Sequence, residues 1–245
     1  MQRDHAAVIA QLLAKAESTT EAEAEALRER AIALMLKYSI DEATLAARSG
    51  AERANEQVIT ERVPFAGIYA QALAEGFYRV AEATQSVRAA VGKVSPKSHY
   101  VLLVGYQSDV EQIKLLIASL ALQAVSALNE FWEVAKHDIP SDYKPMEKFK
   151  ERRQFLIGFM QGVSRRLAEA RRVAVSDAGP GTELVLRNRL TAVDEFITSS
   201  NMFKTGRASR RAYGSALAQQ AGVAAGRNAN TGETAVGPRR RQIGG

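Results

Sequence analysis

The chain has 245 residues, 46% of them hydrophobic, with 33 Lys and Arg against 27 Asp and Glu, a formal net charge of +6 and no cysteine. That length and apolar fraction suffice for one or two compact domains with a sizeable core. Without cysteine, the protein cannot be a disulfide scaffold, an iron–sulfur protein, a Cys-ligated zinc protein or a thiol-dependent enzyme. Because the only histidines are His5, His99 and His137, we also expect no metal site and no cofactor.

The charge is unevenly distributed along the chain. Residues 1–60 carry 7 basic and 10 acidic side chains, residues 61–150 carry 10 of each, and residues 151–245 carry 16 and 7, which is net +9. Residues 199–245 contain eight basic side chains and one acidic side chain, Glu233. Such a segment attracts polyanions, although basic tails are also often only solubilising.

The first 55 residues predict a helical hairpin followed by a short third helix. Apolar residues recur at helical spacing from Val8 to Ala16 and again from Leu27 to Tyr38. Between these stripes, Thr20 and Glu23 fit a capping box, in which the hydroxyl and the carboxylate each accept a bond from a backbone amide at the start of a helix. The short spacer favours an antiparallel pair of helices.

A small antiparallel sheet of about three strands is predicted next, with a helix over Ile68–Thr84 following the first strand. The predicted strands span Val58–Phe65, Ser86–Val94 and His99–Tyr106. Pro96 lies between the last two strands, where it favours the turn of a hairpin.

Long helices follow the predicted sheet. They span Gln107–His137, Met146–Val175, Glu183–Ser199 and Ala212–Gly226. The first is apolar on both sides, which predicts a buried central helix, while its most apolar stretch, Leu115–Leu128, is too short to span a bilayer. A loop is expected at Asp177–Gly181, and Leu184–Leu186 is also compatible with a strand. From residue 228 no apolar period remains, which is typical of disorder.

The sequence therefore predicts an α+β protein, mainly α, with an N-terminal helical hairpin and a small antiparallel sheet covered by long helices. The predicted division is a hairpin module at 1–55, an α+β core domain at 56–227 and a disordered basic tail at 228–245. No basic segment followed by an apolar run begins the chain, so we expect no secretory signal and a cytoplasmic protein.

The N-terminal hairpin also carries a recognisable pattern. Between Ile9 and Asp41 the residues read LLA-A-ES, then EA, then LM-KYSID. This pattern resembles the N-terminal module of the family catalogued as domain of unknown function 2786, over about residues 5–45. Weaker similarities follow at Val104–Tyr106, at Asp109–Val110, at Phe155–Phe159, and at Gly222 with Gly226 in the Ala-rich helix. The resemblance implies a soluble intracellular protein of bacteria or bacteriophages, with no established activity.

No catalytic motif is found in the sequence. Gly92-Lys93 is followed by Val94 rather than Ser or Thr, so a phosphate-binding P-loop is not expected. Glu130 and Glu133 share a helix face with basic neighbours, which indicates solvated ion pairs. We therefore expect no catalytic residue and favour binding over catalysis, while an enzyme of unrecognised type stays open.

The arginines of the C-terminal third are the best functional candidates. Arg165 and Arg172 lie seven residues apart on the predicted helix Met146–Val175 and therefore nearly superpose on one face. Because Arg grips phosphates bidentately, a basic helix face near a basic tail would track a nucleic-acid backbone. A solvated surface is the competing interpretation, since Glu151 and Glu169 lie on the same side. The candidate nucleic-acid-binding residues are Arg165, Arg172, Arg210, Arg211, Arg239, Arg240 and Arg241.

Two functions are carried forward. The first is a non-enzymatic accessory protein that binds nucleic acid non-specifically, and the alternative is a module that binds or assembles with a host or phage protein. The alternative would use the N-terminal hairpin or the C-terminal helix, where Gly214, Ala218, Gly222 and Gly226 repeat every four residues. Such spacing permits close approach of a second helix, which we expect to come from within the fold. No membrane partner is expected, and the oligomeric state is left open.

Overall fold

The computed structural model describes residues 57–138, 143–178, 180–201 and 215–229, together with five isolated helical positions near the N-terminus, Gln11, Leu12, Lys15, Glu23 and Leu27. The chain divides into two compact units, and the described residues from 57 onward belong to the larger one, Ser39–Ala229. The predicted short third helix and residues 230–245 of the predicted tail lie outside the described residues. The division of the chain into regions 1–55, 56–227 and 228–245 stays a prediction.

Within the described ranges, three strands and five helices form an α+β arrangement that is mainly helical, which confirms the predicted fold class. The elements are β1 (Val58–Ala66), α1 (Ala70–Thr84), β2 (Val87–Ser95), β3 (Ser98–Tyr106), α2 (Gln107–Asp138), α3 (Pro145–Ala178), α4 (Pro180–Ser199) and α5 (Ala216–Asn228). The loop predicted at Asp177–Gly181 is wrong in extent, because α3 continues to Ala178 and α4 begins at Pro180. The strand alternative for Leu184–Leu186 is also wrong, since these residues are helical.

The sheet is antiparallel with the order β1-β3-β2, so the most apolar strand lies in the centre. Val101 of β3 pairs with Val63 on one side and with Val91 on the other. Because directly opposed residues in an antiparallel sheet share a face, these valines lie on the same side as the buried Leu103. Helix α1 packs against this sheet, and Phe77 of α1 stacks on Phe65 of β1 with 5.4 Å between ring centroids.

Helix α3 is the centre of the helical layer. Its apolar stripe is fully buried and consists of Phe155, Leu156, Phe159, Met160, Val163 and Leu167. Helices α1 and α5 pack on it, and Phe155 also stacks on Phe131 of α2 at 4.6 Å between centroids. The stripe at helical spacing in the sequence therefore marks the main core of this unit.

Helix α2 is buried on one side only, so the prediction of a buried central helix is wrong. Ile117 and Leu120 are inside, but Leu122 is 60% exposed and Val125 is 50% exposed. The helix is long and apolar enough to cross a membrane by length and composition, with an 18-residue window of mean hydropathy 1.4 that is 33% buried. The core helix of a soluble domain passes the same test, and the expectation of no membrane partner stays a prediction.

Helices α3 and α5 meet through facing glycines. A Cβ added at Gly158 or Gly162 of α3 would meet the α5 backbone, and one added at Gly222 or Gly226 would meet the α3 backbone, each closer than 3.0 Å. The glycines on α5 are those whose four-residue spacing predicted a closely packed helix, and close packing within the fold is confirmed. We call this contact the glycine seam. Arg166 of α3 also closes the end of α5 by donating to the carbonyl oxygens of residues 227 and 229 at 2.9 and 2.5 Å.

Candidate anion-binding cleft

A cleft of about 630 Å³ lies between the C-terminal half of α3 and the first half of α4, beside the end of α1. The residues that line it are Gln85, Ala168, Arg171, Arg172, Val175, Ser176, Glu183, Leu186, Arg187 and Leu190. Three guanidinium groups and one carboxylate therefore face the same space. We call this space the arginine cleft.

Arg171 is the buried cation of the arginine cleft. The residue is 8% exposed and donates one hydrogen bond, from Nη2 to the backbone oxygen of Gln85 at 3.2 Å. Gln85 follows α1 in the left-handed conformation, with φ of 52°. Burial lowers the pKa of Arg171, and the charge of Asp109 offsets part of this effect.

The remaining donors of Arg171 have no partner among the described residues. A guanidinium carries five N–H groups, and one of them is used by Gln85. Within the described part of the chain, no carboxylate oxygen lies within 4.0 Å of this guanidinium. These nitrogens are not among the fully buried unpaired atoms of the described residues, so they are open to the cleft, where an anion can accept charge-assisted hydrogen bonds from them.

Arg172 and Arg187 are exposed at the mouth of the cleft, on α3 and α4 respectively. Arg172 donates from Nε and Nη2 to the two carboxylate oxygens of Glu169 at 3.0 and 2.7 Å. This pair raises the pKa of Arg172 and lowers that of Glu169. The guanidinium of Arg187 makes no hydrogen bond or ion pair with the described residues, and Glu183 lies one turn earlier on the same helix.

The structure tests only part of the arginine set predicted from the sequence. Arg165 and Arg172 lie on one face of α3, about 10 Å apart along its axis at 1.5 Å per residue, and both are exposed. The remaining candidates lie outside the described residues, namely Arg210, Arg211, Arg239, Arg240 and Arg241.

Sequence reasoning missed the two other arginines of the cleft. The sequence pattern leaves Arg171 on the half of its helix opposite the apolar stripe, and the structure corrects this, since Arg171 is 8% exposed and donates to Gln85, 86 positions earlier in the chain. Arg187 was not singled out, although it belongs to the cation-rich stretch at 187–189. That local excess of arginine on a predicted helix was the one available signal for it.

Two ion pairs hold α4 in place and so fix the outer wall of the cleft. Arg88 of β2 donates to both carboxylate oxygens of Asp194 at 2.6 and 2.7 Å, and this hydrogen bonding lowers the pKa of Asp194. Arg189 donates to the buried Asp109 of α2 at 2.8 Å, with its guanidinium 4.1 Å from the ring centroid of Tyr106. Because Arg88 and Arg189 already have carboxylate partners, they are structural, unlike Arg171 and Arg187.

Glu82 is a second carboxylate beside Arg88, the partner of Asp194. Its carboxylate accepts from the backbone N–H of Ala89 at 2.7 Å and lies 3.9 Å from Arg88. Burial raises its pKa, and the bond from Ala89 and the charge of Arg88 oppose that shift. Glu82 therefore ties α1 to β2 rather than providing a free carboxylate.

The described residues offer no obvious acid–base or metal chemistry. Over the described ranges, no group of three His, Asp or Glu side chains is arranged to hold a metal ion. The carboxylate Glu133 pairs with Lys136, as the sequence pattern indicated. His99 is buried at 6% exposure and its Nδ1 has no partner among the described residues. It lies on β3 and is not one of the residues lining the arginine cleft.

The comparison with protein families gives one match. Residues 9–42 match the family described as Protein of unknown function (DUF2786). This confirms the resemblance stated for the N-terminal hairpin. No curated protein and no solved structure matches the chain. The DUF2786 segment therefore supplies a relationship but no activity, and the function must be argued from the arginine cleft.

Proposed function

We propose that the protein binds phosphate groups of nucleic acid in the arginine cleft, as a non-enzymatic accessory protein without base readout. The observation that supports this most is Arg171, a buried guanidinium that faces the cleft with most of its donors unused. Phosphate oxygens suit these donors, because charge-assisted hydrogen bonds from Arg to phosphate are among the strongest in proteins.

The exposed arginines extend this site along α3. Arg165 and Arg172 are about 10 Å apart along the helix axis, which corresponds to about three nucleotides of one duplex strand at 3.4 Å each. Arg172 is paired with Glu169, but an ion pair this exposed is weak because water and salt screen it. A phosphate therefore competes readily for the same guanidinium. The net charge of +9 on residues 151–245 adds a long-range attraction for polyanions.

The test compares two triple variants that remove the same charge. The first, R165A/R172A/R187A, removes Arg165 and Arg172 of α3 together with Arg187 at the mouth of the cleft. The control, R79A/K97A/K148A, removes three exposed cations outside the cleft. Binding of a labelled oligonucleotide of about 20 nucleotides is followed by fluorescence anisotropy between about 50 and 200 mM salt.

Each lost phosphate contact lowers the steepness of log K against log salt by about 0.7–0.9. We expect the cleft variant to lose about two to three from that slope and the control to lose less than one. Equal losses in both variants would contradict the placement of the site. Absence of binding by the native protein at low salt would contradict the proposed function itself.

The alternative of a protein-interaction module stays a prediction. The N-terminal hairpin lies largely outside the described residues. On α5, Gly222 and Gly226 already face the α3 backbone. A partner of this helix would therefore have to contact another side of it, where Leu217 is 74% exposed.

A further inference from the structure

The arginine cleft has one buried cation and a charged mouth. Arg171 and Leu186 are 8% and 9% exposed, respectively, while Arg172, Arg187 and Glu183 are exposed at the mouth. Arg171 is therefore the innermost cation of the cleft, and a ligand that reaches it also lies beside the exposed arginines.

An internal phosphate of a nucleic acid carries chain on both of its bridging oxygens, so a strand bound through it needs room for a nucleotide on each side, and the cleft holds about 630 Å³. A terminal phosphomonoester carries chain on one side only. It also bears about −1.5 to −2 charge at pH 7, because its second pKa is near 6, and presents three strong acceptor oxygens.

We infer that the arginine cleft captures the phosphorylated end of a nucleic-acid strand, with Arg171 and Arg187 donating to the terminal phosphate. This inference rests on the proposed function and narrows it to one class of ligand. Arg171 contributes donors that the fold does not use, and Arg187 contributes a guanidinium with no partner in the described chain. The two arginines come from different helices, so the phosphate would bridge α3 and α4.

The rest of the cleft suits the terminal nucleotide. Its volume of about 630 Å³ lies within the range of about 300–1,000 Å³ found for small-ligand sites, and is far too small for a duplex. Apolar side chains of α3 and α4 line it beside the arginines, namely Ala168, Val175, Leu186 and Leu190. They provide surface for a sugar and a base. Glu183 at the mouth repels further phosphates, so it limits the site to one of them.

The first experiment changes only the ligand, so that the folding of a variant is not at issue. Three otherwise identical labelled single strands carry a 5′-phosphate, a 3′-phosphate or hydroxyls at both ends, and their binding to the full chain is measured by anisotropy at fixed salt. We expect a strand with one of the phosphorylated ends to bind about tenfold more tightly than the hydroxyl strand, since one charge-assisted contact contributes about 1.5–3 kcal/mol. The preference should shrink as the pH falls from about 7.5 to 5.5, because the terminal phosphate loses its second charge.

The second experiment assigns the preference to the cleft. R187A should reduce the preference to about twofold or less, whereas E183Q should increase it and K148A, an exposed cation outside the cleft, should leave it unchanged. R171K retains the charge with fewer donors and should weaken the preference while the protein stays folded by circular dichroism. Competition by a nucleoside monophosphate but not by inorganic phosphate at the same concentration would show that the sugar and base also contact the cleft.

The outcomes separate this inference from the proposed function. If all three strands bind equally and the binding still weakens with salt, the inference is wrong and backbone binding stands. If the phosphate preference is present but survives R187A and R171K unchanged, the end is recognised elsewhere and the inference is also wrong. If no strand binds at low salt, both proposals are overturned.

Discussion

Replacing a glycine of the glycine seam by alanine tests whether packing or helix propensity dominates there, because the two have opposite effects on the free energy of unfolding. In an exposed helix, replacing Gly by Ala stabilises by about 1 kcal/mol, because Gly has the greater conformational freedom in the unfolded chain. At Gly222 the added Cβ would lie 2.9 Å from the carbonyl carbon of Phe155 and from the amide nitrogen of Phe159, and closer still to the Phe155 oxygen. These are backbone atoms of α3, which cannot rotate away.

The two helices must therefore separate to accept G222A. Ordinary van der Waals contact begins at 3.4 Å, so the required shift is of the order of 1 Å. A gap of that size forfeits about a quarter to a half of the dispersion energy between facing atoms. Overpacking costs about 1–3 kcal/mol. We take the upper value, about 3 kcal/mol, and subtract the gain of about 1 kcal/mol in helix propensity. The free energy of unfolding should therefore fall by about 2 kcal/mol.

The assay is urea unfolding followed by the fluorescence of the single tryptophan, Trp132, and by circular dichroism. Trp132 is a useful reporter because the guanidinium carbon of Arg152 on α3 lies 3.9 Å from the centroid of its ring. The expected result is a lower midpoint with an unchanged slope. Stabilisation by G222A would refute the seam as a backbone contact.

Two further predictions concern the contacts that hold α5 and α4 in place. R166A should lower the free energy of unfolding by about 1–2 kcal/mol, because the carbonyls of residues 227 and 229 lose a charged donor; an unchanged urea midpoint would contradict this. D194N should destabilise the protein at pH 7 and less so at pH 3. Since Arg88 lowers the pKa of Asp194, the carboxylate stabilises the fold above its unfolded pKa of about 3.9, and this contribution is lost as the pH falls through the lower folded value. An equal loss at both pH values in urea unfolding would show that the charge of Asp194 contributes nothing.

Only some of the basic side chains in the C-terminal third are available to bind a ligand. Several of its arginines have structural partners, including Arg189, which pairs with Asp109, and Arg166, which donates to backbone carbonyls at the end of α5. A count of cations from the sequence cannot separate these from Arg171 and Arg187, whose donors face the cleft. The functional hypothesis therefore rests on a few guanidinium groups with unused donors rather than on net charge.

The sequence by itself determined the elements and their order. Periodicity and turn residues act over a few positions, so the three strands, the turn at Pro96 and the long helices were predicted close to their observed bounds. The same local pattern identified the small-residue face of α5, and the resemblance of the N-terminal hairpin was visible in residues 9–42.

Only the tertiary structure decided which surfaces those elements bury. Arg171 is inside because α3 passes the end of α1, where Gln85 lies 86 positions away in sequence. Leu122 is outside because no described element covers that side of α2. The partner of Gly222 is α3 because Gly158 and Gly162 provide a matching surface there. Local backbone geometry fixes periodicity, but burial and the pairing of charges depend on contacts between distant segments, such as the contact between Gln85 and Arg171 in the arginine cleft.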